Sequence, residues 1–156
     1  MTVRAIMTAL EARGWMLATA ESCTGGMISA TVTDMAGSSA VYDRGFVTYS
    51  NAAKTEMLGV RPATLDAHGA VSEEVAREMA EGARARSAAD IAVSVTGIAG
   101  PGGSEHKPEG RVCFAVATPG GTVSETVEFG PIGRGFVRQA TVAHALHMVL
   151  VALTEG

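Results

Sequence analysis

Apolar residues recur along this chain with two periods, and the switches between them predict its elements. Val3, Ile6, Met7 and Leu10 share one face of a helix over Thr2 to Arg13, with Gly14 as its stop. Trp15 to Ala20 reads as a strand, and Thr24 to Met35 as a helix ended by Gly37. Ala40 to Ser50, rich in Val, Tyr, Phe and Thr, reads as a second strand. Asn51 is the expected N-cap of a short helix reaching Leu58, and Pro62 to His68 adds a further helical turn. Ser72-Glu73-Glu74-Val75 opens a helix running to about Ser87, with carboxylates in its first turn where the helix dipole favours them. Ile91 to Val95 is a short buried strand, followed by a Gly- and Pro-rich loop over Gly97 to Gly110. Val112 to Ala117 and Val123 to Phe129 flank Pro119-Gly120-Gly121 as a hairpin, and Gly133 to Thr154 forms a long last helix. Helices interleaved with strands, plus one hairpin, predict a single-domain α/β protein: a three-layer α/β/α sandwich with a mixed β-sheet.

Composition narrows the partners. The chain has 156 residues, 47% of them hydrophobic, with 19 Gly but only one Trp, two Tyr and four Phe. That suits one compact α/β domain with a core of Ala and Val. A net charge of −4 argues against a general nucleic-acid binder and leaves room for a local basic pocket. No run of about 18 apolar residues is expected to span a membrane, and no signal peptide is read at the N-terminus. Cys23 and Cys113 lie far apart without metal spacing, so a reduced, cytoplasmic setting is expected.

Three segments place small or reactive polar residues at predicted strand ends, where sites in open α/β sheets are built. The first is Ala20-Glu21-Ser22-Cys23-Thr24-Gly25-Gly26, a strand-to-helix turn that suits a nucleophile beside an oxyanion hole, or a cradle for an anion. The second is Gly45 to Asn51 followed by Lys54, and the third is Thr96 to Ser104 followed by Lys107. Ser22 needs a base. The histidines are poorly placed: His144 and His147 share a helix face without a carboxylate at ligand spacing, His68 sits at a helix end, and His106 lies in the loop. Lys54 is the better partner, because burial turns lysine into a usable base, acting directly or through Tyr49. Against this stands a solvated Lys and a Tyr that merely packs. Cys23 is the alternative nucleophile, but a turn aims only one of two neighbours at a given pocket, and Ser22 is preferred. The glycine-dense loop can wrap a phosphate through backbone N–H groups, with Ser104 and Lys107 adding contacts, or it can simply be a surface loop.

Taken together, these segments resemble one family. The turn motif above, Asp34-Met35-Ala36-Gly37-Ser38-Ser39, Arg44 to Asn51 with Lys54, His68-Gly69-Ala70-Val71-Ser72 and Thr96-Gly97-Ile98-Ala99-Gly100-Pro101 occur in the order and spacing of the CinA C-terminal domain family. The resemblance covers essentially the whole chain. Stand-alone members of that family are bacterial nicotinamide mononucleotide deamidases.

The resemblance implies a homodimeric α/β/α amidohydrolase that converts nicotinamide mononucleotide to nicotinate mononucleotide and ammonia, with no metal and no organic cofactor. The catalytic Ser, Tyr and Lys correspond to Ser22, Tyr49 and Lys54. Substrate contacts are expected from Thr24, Gly25, Gly26, Ser38 and Ser39, from Thr96, Gly97, Gly100, Gly102, Gly103, Ser104 and Lys107, and from Arg134 and Arg138. Ser22 would attack the carboxamide carbon and Lys54, helped by Tyr49, would carry the proton to the departing ammonia. N–H groups near Thr24 to Gly26 would stabilise the oxyanion, one such donor being worth about 3–4 kcal/mol. Two departures bear on the ligand: the loop from Gly100 to Pro108 is one residue shorter than is usual, and the Asp of a Gly-Asp-Arg pattern is lost before Arg134. Other expectations open on the same residues are an amidase on another nucleotide amide, or a non-catalytic nucleotide-binding or interaction module. Neither nucleic acid nor membrane is expected as a partner.

Overall fold

The computed structural model describes residues 2–155. Five strands form one sheet in the order β2-β1-β3-β4-β5, where β1 is Leu17–Glu21, β2 Tyr42–Val47, β3 Ile91–Gly97, β4 Arg111–Thr118 and β5 Gly121–Glu128. The first three run parallel, and β4 and β5 are antiparallel additions, so the sheet is mixed as expected. Thr118 pairs with Gly121, which leaves Pro119-Gly120 as a two-residue turn.

Strand alternation splits the core into two unlike layers. Leu17, Ile91, Val93, Val95, Phe114 and Val116 face the helices α1 (Thr2–Arg13), α2 (Met27–Thr33) and α6 (Arg134–Glu155). The other face offers small residues: Ala18, Ala20, Ala92, Ala115 and Ala117. Against it lie α3 (Asn51–Leu58), α4 (Pro62–His68) and α5 (Glu73–Ala85). Small side chains let α5 lie close on the sheet, and Gly82 lets it abut α3, since a Cβ there would run into the Leu58 carbonyl. This is the expected α/β/α sandwich.

Several boundaries move for local reasons. Ser50, not Asn51, caps α3: its backbone is extended and its hydroxyl accepts from the Ala53 N–H. Ser72 caps α5 in the same way through Val75. Helix α2 starts three residues later than expected because Gly25 and Gly26 take positive φ and turn the chain first. A 3-10 turn at Ser38–Ala40 replaces the start of the second predicted strand. By length and mean hydropathy alone α6 is apolar enough to cross a bilayer, although polar residues interrupt it. Val137, Val142, Ala145, Leu146, Val149 and Leu153 are buried against the core.

The topology also makes the crevice. The chain leaves β1 toward the α2 face and leaves β2 toward the α3 face, so the loops diverge between two neighbouring strand ends.

Candidate active site

Ser22 is the first residue beyond β1, and its backbone N–H still donates to Val95 O on β3. Alternation turns the Glu21 side chain toward α2 and Ser22 toward the other face, where the second turn of α3 brings Lys54. Lys54 is only 2% exposed, and its Nζ lies 3.0 Å from Ser22 Oγ and 3.0 Å from the Thr48 carbonyl. Burial pushes its pKa below the ordinary 10.5, against the opposing pull of Cys23 and Glu105. The Nζ donates to both the Ser22 hydroxyl and the Thr48 carbonyl. A serine hydroxyl and a buried amine are thus in direct contact, with the amine held by the Thr48 carbonyl.

Cys23 is in a different state. Burial pushes its thiol up to about 11, so it stays protonated and is a poor nucleophile at neutral pH.

Around the pair opens a cleft of about 340 Å³. Ser22, Tyr49 and Lys54 line it, with Thr96, Gly97, Gly100, Gly102, Gly103 and Ser104 from the end of β3 and its loop, and Arg134 from the start of α6. Tyr49 is 62% exposed, and its hydroxyl accepts from Arg134 Nη2 at 3.0 Å. Arg134 Nη1 donates to the Gly100 carbonyl at 2.6 Å, so one guanidinium ties the rim of β2 to the glycine-rich loop. Ser22 and Lys54 touch directly, with no hydroxyl between them.

Other expected ligand residues lie elsewhere. Thr24 and Gly26 point into the protein: the Thr24 hydroxyl and the Gly26 N–H both donate to the Glu21 carboxylate. The Gly25 N–H donates to Ser22 O, so two of the three turn residues expected to supply oxyanion donors are already engaged. Arg138 donates to the carbonyls of Cys23 (3.0 Å) and Thr24 (3.2 Å), which draws it under the nucleophile turn. Lys107 donates to the carbonyls of His68 and Val71, pinning the loop to the α4–α5 connection. Ser38 and Ser39 precede β2, at the end of the parallel strands opposite to that carrying Ser22, and lie outside this cleft.

Sequence reasoning missed Glu21 as a working residue. The signal was there: a lone carboxylate ends a strand buried along its full length, and a buried charge must find partners. The anion expected at the start of α2 is the chain's own side chain. Among the described residues no cluster of three or more His, Cys, Asp and Glu is placed to hold a metal ion. His144 instead pairs with Glu125 and meets the Phe114 ring edge-on. A larger apolar groove, about 490 Å³ between β5 and α6, is lined by Val123, Met148 and Val151 and has no nucleophile–base pair.

The domain is thus an open α/β sheet with a serine–lysine pair at the divergence of two neighbouring strand ends. This chain belongs to the CinA C-terminal domain family, whose pattern it matches over residues 2–153. It is 56% identical over 139 residues to the nicotinamide-nucleotide amidohydrolase PncC of Escherichia coli K12, covering 88% of this chain and 84% of that protein. A competence-damage inducible relative from Symbiobacterium thermophilum is 51% identical over 94% of this chain, which spans only 36% of that longer protein. Among solved structures, the competence/damage inducible protein of Agrobacterium tumefaciens superposes with a TM-score of 0.93 at 52% identity, covering 97% of this chain and 93% of that one. A CinA superfamily protein of Klebsiella pneumoniae gives 0.95 at 38% identity, covering 99% and 97%.

Proposed function

We propose that this chain hydrolyses the carboxamide of nicotinamide mononucleotide, consuming water and releasing nicotinate mononucleotide and ammonia. The observation that carries the reading is the buried contact between Ser22 Oγ and Lys54 Nζ at 3.0 Å. The names of the amidohydrolase relatives, one of them 56% identical, supply the substrate class.

In this reading neutral Lys54 takes the Ser22 proton as Oγ attacks the amide carbon. The same amine then delivers that proton to the leaving nitrogen, and ammonia departs from an acyl-Ser22 intermediate. Water, deprotonated by Lys54, releases the acid and restores Ser22. Arg134 and the glycine-rich loop supply donors for the substrate phosphate, and Tyr49 stands beside Arg134 at the mouth as a wall for the pyridine ring. We place the activity in the cytoplasm, on the pyridine-nucleotide salvage route, and in a homodimer. Both cysteines being buried free thiols agrees with a reduced compartment.

The test is to incubate the purified protein with nicotinamide mononucleotide and follow ammonia and nicotinate mononucleotide together. Equal release that Ser22→Ala abolishes supports the reading. A folded protein releasing neither product overturns it, and a panel of other nucleotide amides then comes next.

A further inference from the structure

The Glu21 carboxylate is fully buried and accepts five hydrogen bonds from the segment that follows Ser22. Oε1 takes the Thr24 hydroxyl at 2.5 Å, the Gly26 N–H at 3.2 Å and the Ile28 N–H at 2.9 Å. Oε2 takes the Ser29 N–H at 3.0 Å and the Ser29 hydroxyl at 3.1 Å. Three of these donors are backbone N–H groups at the start of α2, a helix whose N-cap, Gly26, has no side chain to cap it. The carboxylate thus caps a helix from five residues upstream, reaching across the turn that holds the nucleophile.

Its setting is rigid. Ser29 Oγ also meets Tyr42 Oη (2.7 Å) and Thr19 Oγ1 (2.8 Å), linking the carboxylate to β1 and β2 together. Glu21 and Ser22 are consecutive, and alternation sends their side chains to opposite sides of the sheet. The carboxylate therefore cannot touch a ligand in the cleft, yet every residue from Ser22 to Gly26 is spanned by its bonds.

We propose that Glu21 is the positioning residue of the nucleophile turn: its carboxylate gathers the N–H and hydroxyl donors beyond Ser22 and so holds Ser22 Oγ against Lys54 Nζ. A glutamine cannot do this. It offers one acceptor oxygen where the site uses two, and its amide would set a donor against the Ser29 N–H. Because the site is made of charge-assisted hydrogen bonds, its loss disturbs the turn more than a neutral pair would.

The inference rests on Ser22 being the nucleophile of the proposed hydrolase, and the experiment separates the two. Wild type and Glu21→Gln are compared by three readings: thermal melting, the rate of Ser22 labelling by a fluorophosphonate, and kcat and KM for ammonia release from nicotinamide mononucleotide. The expected result is a folded variant whose labelling rate and kcat both fall by about tenfold to a hundredfold while KM stays within about twofold. A folded variant with wild-type labelling and kcat overturns the proposal. So does a rise in KM with kcat intact, which would make the carboxylate a substrate-binding group. If Glu21→Gln does not fold, Thr24→Val and Ser29→Ala each remove one hydroxyl donor and should lower kcat by about threefold; wild-type kcat in both overturns the idea. Wild type that labels at Ser22 but releases no ammonia overturns the substrate alone, and the labelling rates still decide Glu21. Wild type that does neither overturns both.

Discussion

Lys54→Met is the most informative single change. Methionine keeps the unbranched stem in a site that is 2% exposed and removes the amine. Loss of a positioned general base costs typically 10²–10⁴ in rate, or about 3–5 kcal/mol of barrier, and the variant should fall in that range. Stability should respond in a way set by pH. Burial holds the Lys54 pKa below the 10.5 it has in the unfolded chain. Between the folded value and 10.5 the unfolded chain therefore binds the proton more tightly than the native one. Wild-type stability then rises with pH through that window, and levels off above 10.5. Methionine carries no such linkage. The stability of wild type minus that of Lys54→Met should climb by up to about 1.4 kcal/mol per pH unit inside the window. Urea unfolding of both proteins in steps from about pH 7.5 to about 10.5 measures this. The same amine should give kcat/KM a rising limb whose midpoint lies below 10.5. A stability difference that is flat with pH, or a variant within about tenfold of wild-type turnover, refutes the buried neutral base.

Other expectations follow from the same geometry. A Cβ at Gly45 would stand 2.5 Å from Ser29 Oγ and Tyr42 Oη and 2.7 Å from Thr19 Oγ1, so Gly45→Ala should destabilise by about 1–3 kcal/mol in urea titrations. Arg134→Lys cannot hold the Gly100 carbonyl and the Tyr49 hydroxyl with one fork, and KM for nicotinamide mononucleotide should rise by about tenfold while kcat changes less, as steady-state kinetics would show. With its thiol pushed up to about 11, Cys23 should resist iodoacetamide at neutral pH in the native protein and react once urea unfolds it, which mass spectrometry reads directly.

Periodicity carried the framework well. Val3, Ile6, Met7 and Leu10 marked α1 to its exact ends because that helix buries one stripe, and Pro62 to His68 bounded α4 because a proline opens it and Gly69 stops it. The hairpin was legible because only a tight turn accommodates Pro119-Gly120 between strands. The start of α2 was not, since glycine permits positive φ at Gly25 and Gly26 but does not announce it in the sequence. The same limit governs the site. Ser22 and Lys54 could be named from residue type, but their contact joins residues 32 apart, and periodicity carries no such pairing. Arg138 was expected at the substrate phosphate from the family resemblance, since a guanidinium can bind phosphate bidentately; its commitment to the Cys23 and Thr24 carbonyls depends on how α6 crosses the turn. Lys107 was diverted for the same reason, by carbonyls left open after α4.

The alanine-lined face of the sheet sets how this protein can change over generations. On the α1, α2 and α6 side, Leu, Ile, Val and Phe interlock, and one methyl can be traded for another across the layer. On the α5 side there is little left to trade: Ala18, Ala20, Ala92, Ala115 and Ala117 are already near the smallest side chains available, and Gly82 is the smallest. Accepted substitutions should therefore accumulate on one side of the sheet and be purged from the other. A library meant to raise stability without moving α3, and with it Lys54, belongs on the bulky side.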